Sequence, residues 1–91
     1  MRITKNLILD TISQKCSVKR EYIDLQKVEG FYYWGDKVGA VFVETGIYVR
    51  YLSDLSLDNW VRDFDDRMKS SISNTDYSTL NEYIENIDWN I

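Results

Sequence analysis

The side chains best able to do chemistry in this sequence are carboxylates, because the chain contains no histidine. That absence removes the usual zinc and copper sites, the Ser-His and Cys-His nucleophile pairs and the commonest general base. A pair of carboxylates can still perform acid–base catalysis. A chain of 91 residues without a glycine-rich phosphate loop, however, has little room for a deep pocket. The sequence therefore predicts a non-enzymatic protein with no catalytic residues, no metal site and no cofactor.

The carboxylates are concentrated in the second half of the chain. Residues 53–91 hold nine acidic and three basic residues, a net charge of −6, whereas residues 1–52 carry +2. An uneven charge distribution of this kind favours a protein partner with a basic surface, and it can also serve solubility alone. The overall charge of −4 argues against direct binding of nucleic acid or of an anionic membrane.

Spacing separates the acids that pair locally from those that do not. In "DNWVRDFDDRMK" three acids stand four residues before a base, the favourable order on a helix, and these pairs are Asp58 with Arg62, Asp63 with Arg67, and Asp65 with Lys69. Asp66 lacks such a base, and Glu82 and Glu85 have none near them in sequence. We therefore predict Asp66, Glu82 and Glu85 as partner-binding residues. The alternative is a solvated helix stabilised by its own charge pairs.

The second candidate surface is aromatic. In "FYYWG", which starts at residue 31, alternate side chains of a strand point to opposite faces of a sheet. The open face would show either Phe31 and Tyr33 or Tyr32 and Trp34, and we count Tyr32 and Trp34 as candidate contact residues. They would meet a protein partner or a second copy of the chain, since the surrounding strands lack the bases that a nucleic-acid surface needs. Trp89, beside Glu82 and Glu85 on a continued helix, is a candidate binding residue or part of a tail that folds back.

The hydrophobic periodicity places these residues on an α+β domain spanning residues 1–91. It predicts a helix over 4–16 capped by Thr4, strands over 22–28, 31–34, 38–43 and 47–52, a helix after the N-cap Ser56, a linker over 69–75 and a helix over 77–87. Short connections imply a three- or four-stranded antiparallel meander. One N-terminal and two C-terminal helices are expected on one face of it.

Cys16 falls in line with Ile8 and Ile12 on the apolar face of the first helix, so we expect it to be a core residue. A single cysteine fits the reducing cytoplasm. No apolar run has the length of a membrane span or a signal peptide, since the run after Lys5 covers only 7–9.

Size, charge sign and the order helix–meander–helix–helix give this chain a resemblance to small phage-encoded proteins that block host machinery. It is most similar in outline to the anti-CRISPR proteins that inhibit a CRISPR nuclease. The resemblance implies an inhibitor in the cytoplasm of the host cell that occupies a basic nucleic-acid-binding site with carboxylates. The alternatives are a homodimerising structural or assembly protein that uses the aromatic sheet face, and an antitoxin or immunity protein.

The apolar stripe of the helix after Ser56 provides a direct test of the predicted core. It consists of Leu57, Trp60, Val61, Phe64 and Met68. Replacing Trp60 by alanine should lower the free energy of unfolding by roughly 3–5 kcal/mol, because the change leaves a large cavity. Chemical denaturation measures the effect, and an unchanged midpoint would refute the stripe.

Overall fold

The computed structural model describes residues 2–42 and 44–87, which form an α+β fold with a three-stranded antiparallel sheet and four helices. The helices are α1 (Lys5–Cys16), α2 (Asp36–Val41), α3 (Leu57–Ile72) and α4 (Leu80–Glu85). The strands are β1 (Asp24–Val28), β2 (Phe31–Gly35) and β3 (Gly46–Ile47), in the order β1-β2-β3. Short 3-10 turns cover Arg20–Tyr22 and Leu52–Asp54. The α+β class and the antiparallel sheet agree with the sequence, and the described residues contain no fourth strand.

Side-chain caps fix where the longer helices begin. The hydroxyl oxygen of Thr4 accepts a hydrogen bond from the backbone N–H of Leu7 at 3.1 Å, and that of Ser56 accepts one from Asn59 at 3.2 Å. Both caps were predicted, because each is a local feature of the sequence. Thr79 caps α4 in the same way, so this helix begins later than the predicted residue 77. In turn α3 continues to Ile72, through part of the predicted linker.

The prediction of a strand over residues 38–43 is wrong, because these residues belong mainly to α2; residue 43 lies outside the described residues. Val38 and Phe42 are both buried, and the carbonyl of Val38 accepts from the N–H of Phe42 at 3.0 Å. A short apolar run fits the period of a strand or that of a helix, and here the spacing of four residues between the two buried side chains is that of a helix. The predicted strand over 47–52 is correspondingly reduced to β3, with a 3-10 turn after it.

The buried face of the sheet contains Tyr32 and Trp34, so the prediction that these two rings form an open contact surface is wrong. Their exposed fractions are 8% and 1%. The Trp34 ring lies edge-on to Trp60 at 6.0 Å and to Phe64 at 5.2 Å between ring centroids, and Tyr32 lies edge-on to Trp60. The reason is the apolar stripe of α3, which needs large rings opposite it to fill the small core.

The α3 stripe is confirmed. Trp60 and Phe64 are completely buried, and the indole N–H of Trp60 donates to the carbonyl of Leu52 at 2.8 Å. The remaining three members of the stripe pack against the core while half-buried. The buried side chains of the described elements form one hydrophobic cluster, with contributions from α1, β1, β2, α2, β3, α3 and α4. Within 2–42 and 44–87 we find no helix with the length and apolar character needed to cross a bilayer.

A close contact holds α2 against β2 and gives a second stability test. A Cβ atom placed on Gly39 would lie 2.6 Å from the carbonyl oxygen of Trp34. Replacing Gly39 by alanine should therefore lower the free energy of unfolding by about 1–3 kcal/mol, since backbone must move to relieve the overlap.

Helix propensity acts in the opposite direction, so it cannot account for a loss of stability in this variant. Alanine is about 1 kcal/mol better than glycine inside a helix. Thermal unfolding of Gly39→Ala beside the unmodified protein measures the net result. An equal or higher melting temperature would show that the contact between α2 and β2 does not limit packing.

Candidate functional site

The carboxylate of Asp63 joins α3 to the sheet. Its Oδ2 accepts a hydrogen bond from the indole Nε1–H of Trp34 at 2.9 Å and from Nε of Arg67 at 2.8 Å. The Arg67 guanidinium also donates to the carbonyl of Gly46 at 2.9 Å and to the carbonyl of Glu44. Both charged side chains are mostly buried, since Arg67 is 20% and Asp63 27% exposed. The predicted Asp63–Arg67 pair therefore links α3 to β2 and β3 and is not only a surface pair within one helix.

Beside this pair lies an acidic groove of about 380 Å³, which we define by its lining residues Glu44, Asp63, Asp66, Arg67 and Ser70. Arg67 is already bonded to Asp63 and to two carbonyls. Asp66 and Glu44 are exposed, and within the described ranges neither side chain has an ion-pair partner. The structure therefore places the predicted residue Asp66 in a groove with excess negative charge. It adds Glu44, whose role depends on the fold of the segment before β3 and has no local sequence signal.

Glu85 is occupied by contacts within the protein. Its carboxylate lies 2.6 Å from Nζ of Lys19 and accepts a hydrogen bond from the Tyr22 hydroxyl at 3.0 Å. The hydrogen bond from Lys19, followed by that from Tyr22, lowers the pKa of Glu85 below its ordinary value. The side chain of Asn81 strengthens the same junction, since it accepts from the backbone N–H of Lys19 and donates to the carbonyl of Ser17. Glu85 thus helps to fasten α4 to the segment that follows α1.

The remaining acidic candidates do not form one continuous face with Asp66 through any described contact. Glu82 is exposed, and its carboxylate accepts a hydrogen bond from the hydroxyl of Ser78 at 3.1 Å. Trp89 lies outside the described residues. Of the three predicted helical pairs, Asp65–Lys69 also forms, at 2.8 Å. Among the described side chains, Asp58 and Arg62 do not form an ion pair.

The face of the sheet opposite the core carries the second candidate surface. We call it the outer sheet surface and define it by Val28, Phe31, Tyr33 and Tyr48. The strand register pairs Val28 with Phe31, and the Phe31 ring contacts the Tyr48 ring at 5.5 Å between centroids. Tyr48 is 77% exposed and Val28 36%. The pair Phe31 and Tyr33, which the sequence left as the alternative, is therefore the outward one.

The two surfaces meet at the segment that leads into β3. The hydroxyl end of Tyr48 lies over Gly46, within 3.3 Å of the position that a Cβ atom would occupy there. The carbonyl of that same Gly46 is bonded to Arg67 in the acidic groove. Glu44, two residues earlier, lines the groove. A partner that covers the segment 44–46 can consequently contact carboxylates and an exposed aromatic ring together.

Cys16, which the sequence predicts as a core residue, packs against the core and is half-buried. Burial, followed by the negative charge of Asp65, raises the pKa of its thiol. Little of it is therefore ionised at neutral pH, and it is a poor nucleophile.

Over residues 2–42 and 44–87 no three His, Cys, Asp or Glu side chains cluster as metal ligands would. Comparison of the chain with family models, with curated proteins and with solved structures gave no match. The arrangement is suited to binding a partner through charge and aromatic contact.

The ion pair of Glu85 makes stability depend on pH in a defined direction. A carboxyl whose pKa is lowered by folding stabilises the protein while it is ionised, and this contribution disappears as the pH falls through the lowered value. Glu85→Gln should therefore reduce the melting temperature at pH 7. The difference from the unmodified protein should shrink below the ordinary carboxyl pKa of 4.5.

The matched control is Glu82→Gln, which removes a charge from the same helix where no lysine is bonded. Its effect on the melting temperature at pH 7 should be smaller than that of Glu85→Gln, because it breaks no ion pair of the described residues. Thermal unfolding between pH 3 and pH 7 separates the two variants. Parallel curves for both would contradict the role assigned to the Lys19–Glu85 pair.

Proposed function

We propose that this protein is a non-enzymatic, phage-type inhibitor that blocks a host defence or nucleic-acid-handling complex by placing carboxylates against a basic surface of a protein partner. The observation that carries the proposal is the excess negative charge of the acidic groove. Its guanidinium is engaged with Asp63 and two carbonyls, while Asp66 and Glu44 remain exposed.

The electrostatics favour a basic partner over other ligands. Arg67 offsets the charge of Asp63, and the described residues that line the groove include no second base to balance Asp66 and Glu44. A surface of this kind steers a cationic partner toward itself and speeds the encounter. Sites that bind nucleic acid present lysines and arginines to phosphate groups. Carboxylates held at a fixed position can compete for the same side chains.

The residues assigned to this function differ in part from those predicted by sequence. Asp66 and Glu44 form the main contact, and Glu82 on α4 is available because it is exposed. We assign Glu85 a structural role instead, because its Oε1 is bonded to Lys19 and Tyr22. Trp89 remains a predicted contact outside the described residues. The site of action would be the cytoplasm of the host cell, and an antitoxin or immunity protein would use the same contacts against a different partner.

Homodimerisation through the outer sheet surface is the competing proposal, and the exposure of Val28 and Tyr48 favours it. Face-to-face pairing would, however, bring the exposed acids at the two ends of the sheet, Glu29 and Glu44, toward those of the second copy. Sedimentation at micromolar concentration distinguishes the proposals. A monomer supports the inhibitor, and a dimer that dissociates on Tyr48→Ser would support the assembly protein.

A cellular interference assay tests the proposed inhibitor. In bacteria in which a CRISPR nuclease restricts transformation by a targeted plasmid, expression of the chain should restore transformation. The double variant Asp66→Asn, Glu44→Gln should lose this protection by about tenfold or more, the change expected when about 1.4 kcal/mol of binding free energy is removed.

Asp76→Asn is the control, because it removes one exposed carboxylate that does not line the groove. This control should protect as well as the unmodified chain. Because the proposal does not specify which nuclease is the partner, the assay uses a panel of nucleases from different CRISPR types. The proposal fails if the chain protects against none of them, or if the double variant protects as well as the control.

A further inference from the structure

The tyrosines of this chain differ in whether the protein itself supplies a partner for the ring. Nζ of Lys27 lies over the rings of Tyr32 and Tyr51, 5.6 and 5.8 Å from the centroids. Lys19 and Lys37 lie over the ring of Tyr22. Cation–π contact is thus a recurrent way in which this protein covers tyrosine.

Two of the described tyrosines are exposed, and only one of them, Tyr51, lies under a lysine, whereas Tyr48 does not. At 77% it is the most exposed of the described tyrosines, and its described ring contact is the tilted one with Phe31. No lysine or arginine of the described residues lies over it. The ring therefore presents an uncovered face of the kind that the chain elsewhere pairs with a cation.

The charges at the ends of the outer sheet surface are complementary to a cation. Glu29 lies in the turn between Val28 and Phe31, and Asp36 and Glu44 lie at the opposite end of the strands. All three are exposed. Of the nearby bases, Lys27 lies over Tyr32 and Tyr51 and Lys37 lies over Tyr22, all away from Tyr48, and Arg50 alone does not offset three acids. A second copy of this surface would bring the same charges together, so a basic partner fits it better than self-association does.

We propose that an arginine-bearing segment of the partner protein docks on the outer sheet surface, with a guanidinium stacked on the Tyr48 ring and paired with the carboxylate of Glu44. The inference rests on the proposed function and specifies the chemistry of its partner. Arginine is favoured over lysine because its planar guanidinium stacks on aromatic rings, forms two parallel hydrogen bonds with a carboxylate and is more weakly hydrated. The hydroxyl end of Tyr48 over Gly46 directs the ring toward the segment that carries Glu44.

Fluorescently labelled nona-arginine and nona-lysine peptides are the probes for this preference. Titrated with the full chain at physiological salt, nona-arginine should bind about threefold tighter or more, the size expected of one exposed cation–π contact. Tyr48→Ser should remove this preference, and Tyr48→Phe, which keeps the ring, should retain it. Tyr51→Ser is the matched control, because Tyr51 is 60% exposed but already lies under Lys27.

Each outcome decides the inference. Equal affinity for the two peptides, or equal losses in Tyr48→Ser and Tyr51→Ser, would overturn it. So would a dimer that Tyr48→Ser dissociates, which would identify a second copy as the occupant. In the interference assay, protection that survives Tyr48→Ser but not Asp66→Asn would leave the proposed inhibitor standing and refute the arginine contact. An arginine preference without protection against any nuclease would do the reverse.

Discussion

The carboxylate of Asp63 is the interaction on which the rest of the arrangement depends. It accepts hydrogen bonds from the Trp34 indole, inside the aromatic core, and from Arg67, which in turn holds the carbonyls of Glu44 and Gly46. Without this carboxylate the indole N–H would lose its partner in a nearly water-free position, at a cost of about 1–3 kcal/mol. The guanidinium would also lose its ion-pair partner while still bonded to the two carbonyls, so its charge would offset Asp66 in the groove. One side chain therefore sets both the seating of α3 on the sheet and the charge of the surface beside it.

Carboxylate side chains have opposite roles at two places on the helical side of the molecule. Glu85 is bonded through Oε1 to Lys19 and Tyr22, and it fastens α4 to the segment after α1. Asp66 forms no ion pair with the described side chains, because Arg67 in the same groove is engaged with Asp63 and the lysine that its charge acts on, Lys69, is paired with Asp65. Net charge alone cannot separate these cases, since what matters for a partner is the charge left over after internal pairing. The surface that we propose for the partner is consequently the neighbourhood of the segment 44–46 and not the whole acidic half of the sequence.

The sequence predicted what local chemistry decides and missed what tertiary contact decides. The caps Thr4 and Ser56, the apolar stripe of α3 and the spacing of Asp63 and Arg67 all lie within a few residues, so they could be read directly. The helix α2 could not, because the run from Val38 to Phe42 fits two periods, and its close seating depends on Gly39 against the Trp34 carbonyl. The choice between the two faces of β2 likewise depended on rings of α3 more than twenty residues away. For that reason the sequence predicts the wrong pair, Tyr32 and Trp34, for the outer face of the sheet. That face carries their neighbours Phe31 and Tyr33.

The bond between Arg67 and the carbonyl of Gly46 has a consequence for how the protein behaves at high concentration. The N–H of Trp34 donates to the carbonyl of Thr45, so the next carbonyl along β3 points away from β2. A carbonyl on the free side of an outer strand is where a strand of another molecule can add, which is how intermolecular sheets and fibrils grow. Here the guanidinium occupies that acceptor, in a strand only two residues long. The side chain that orders the groove thus also removes one free acceptor from the β3 edge of the sheet.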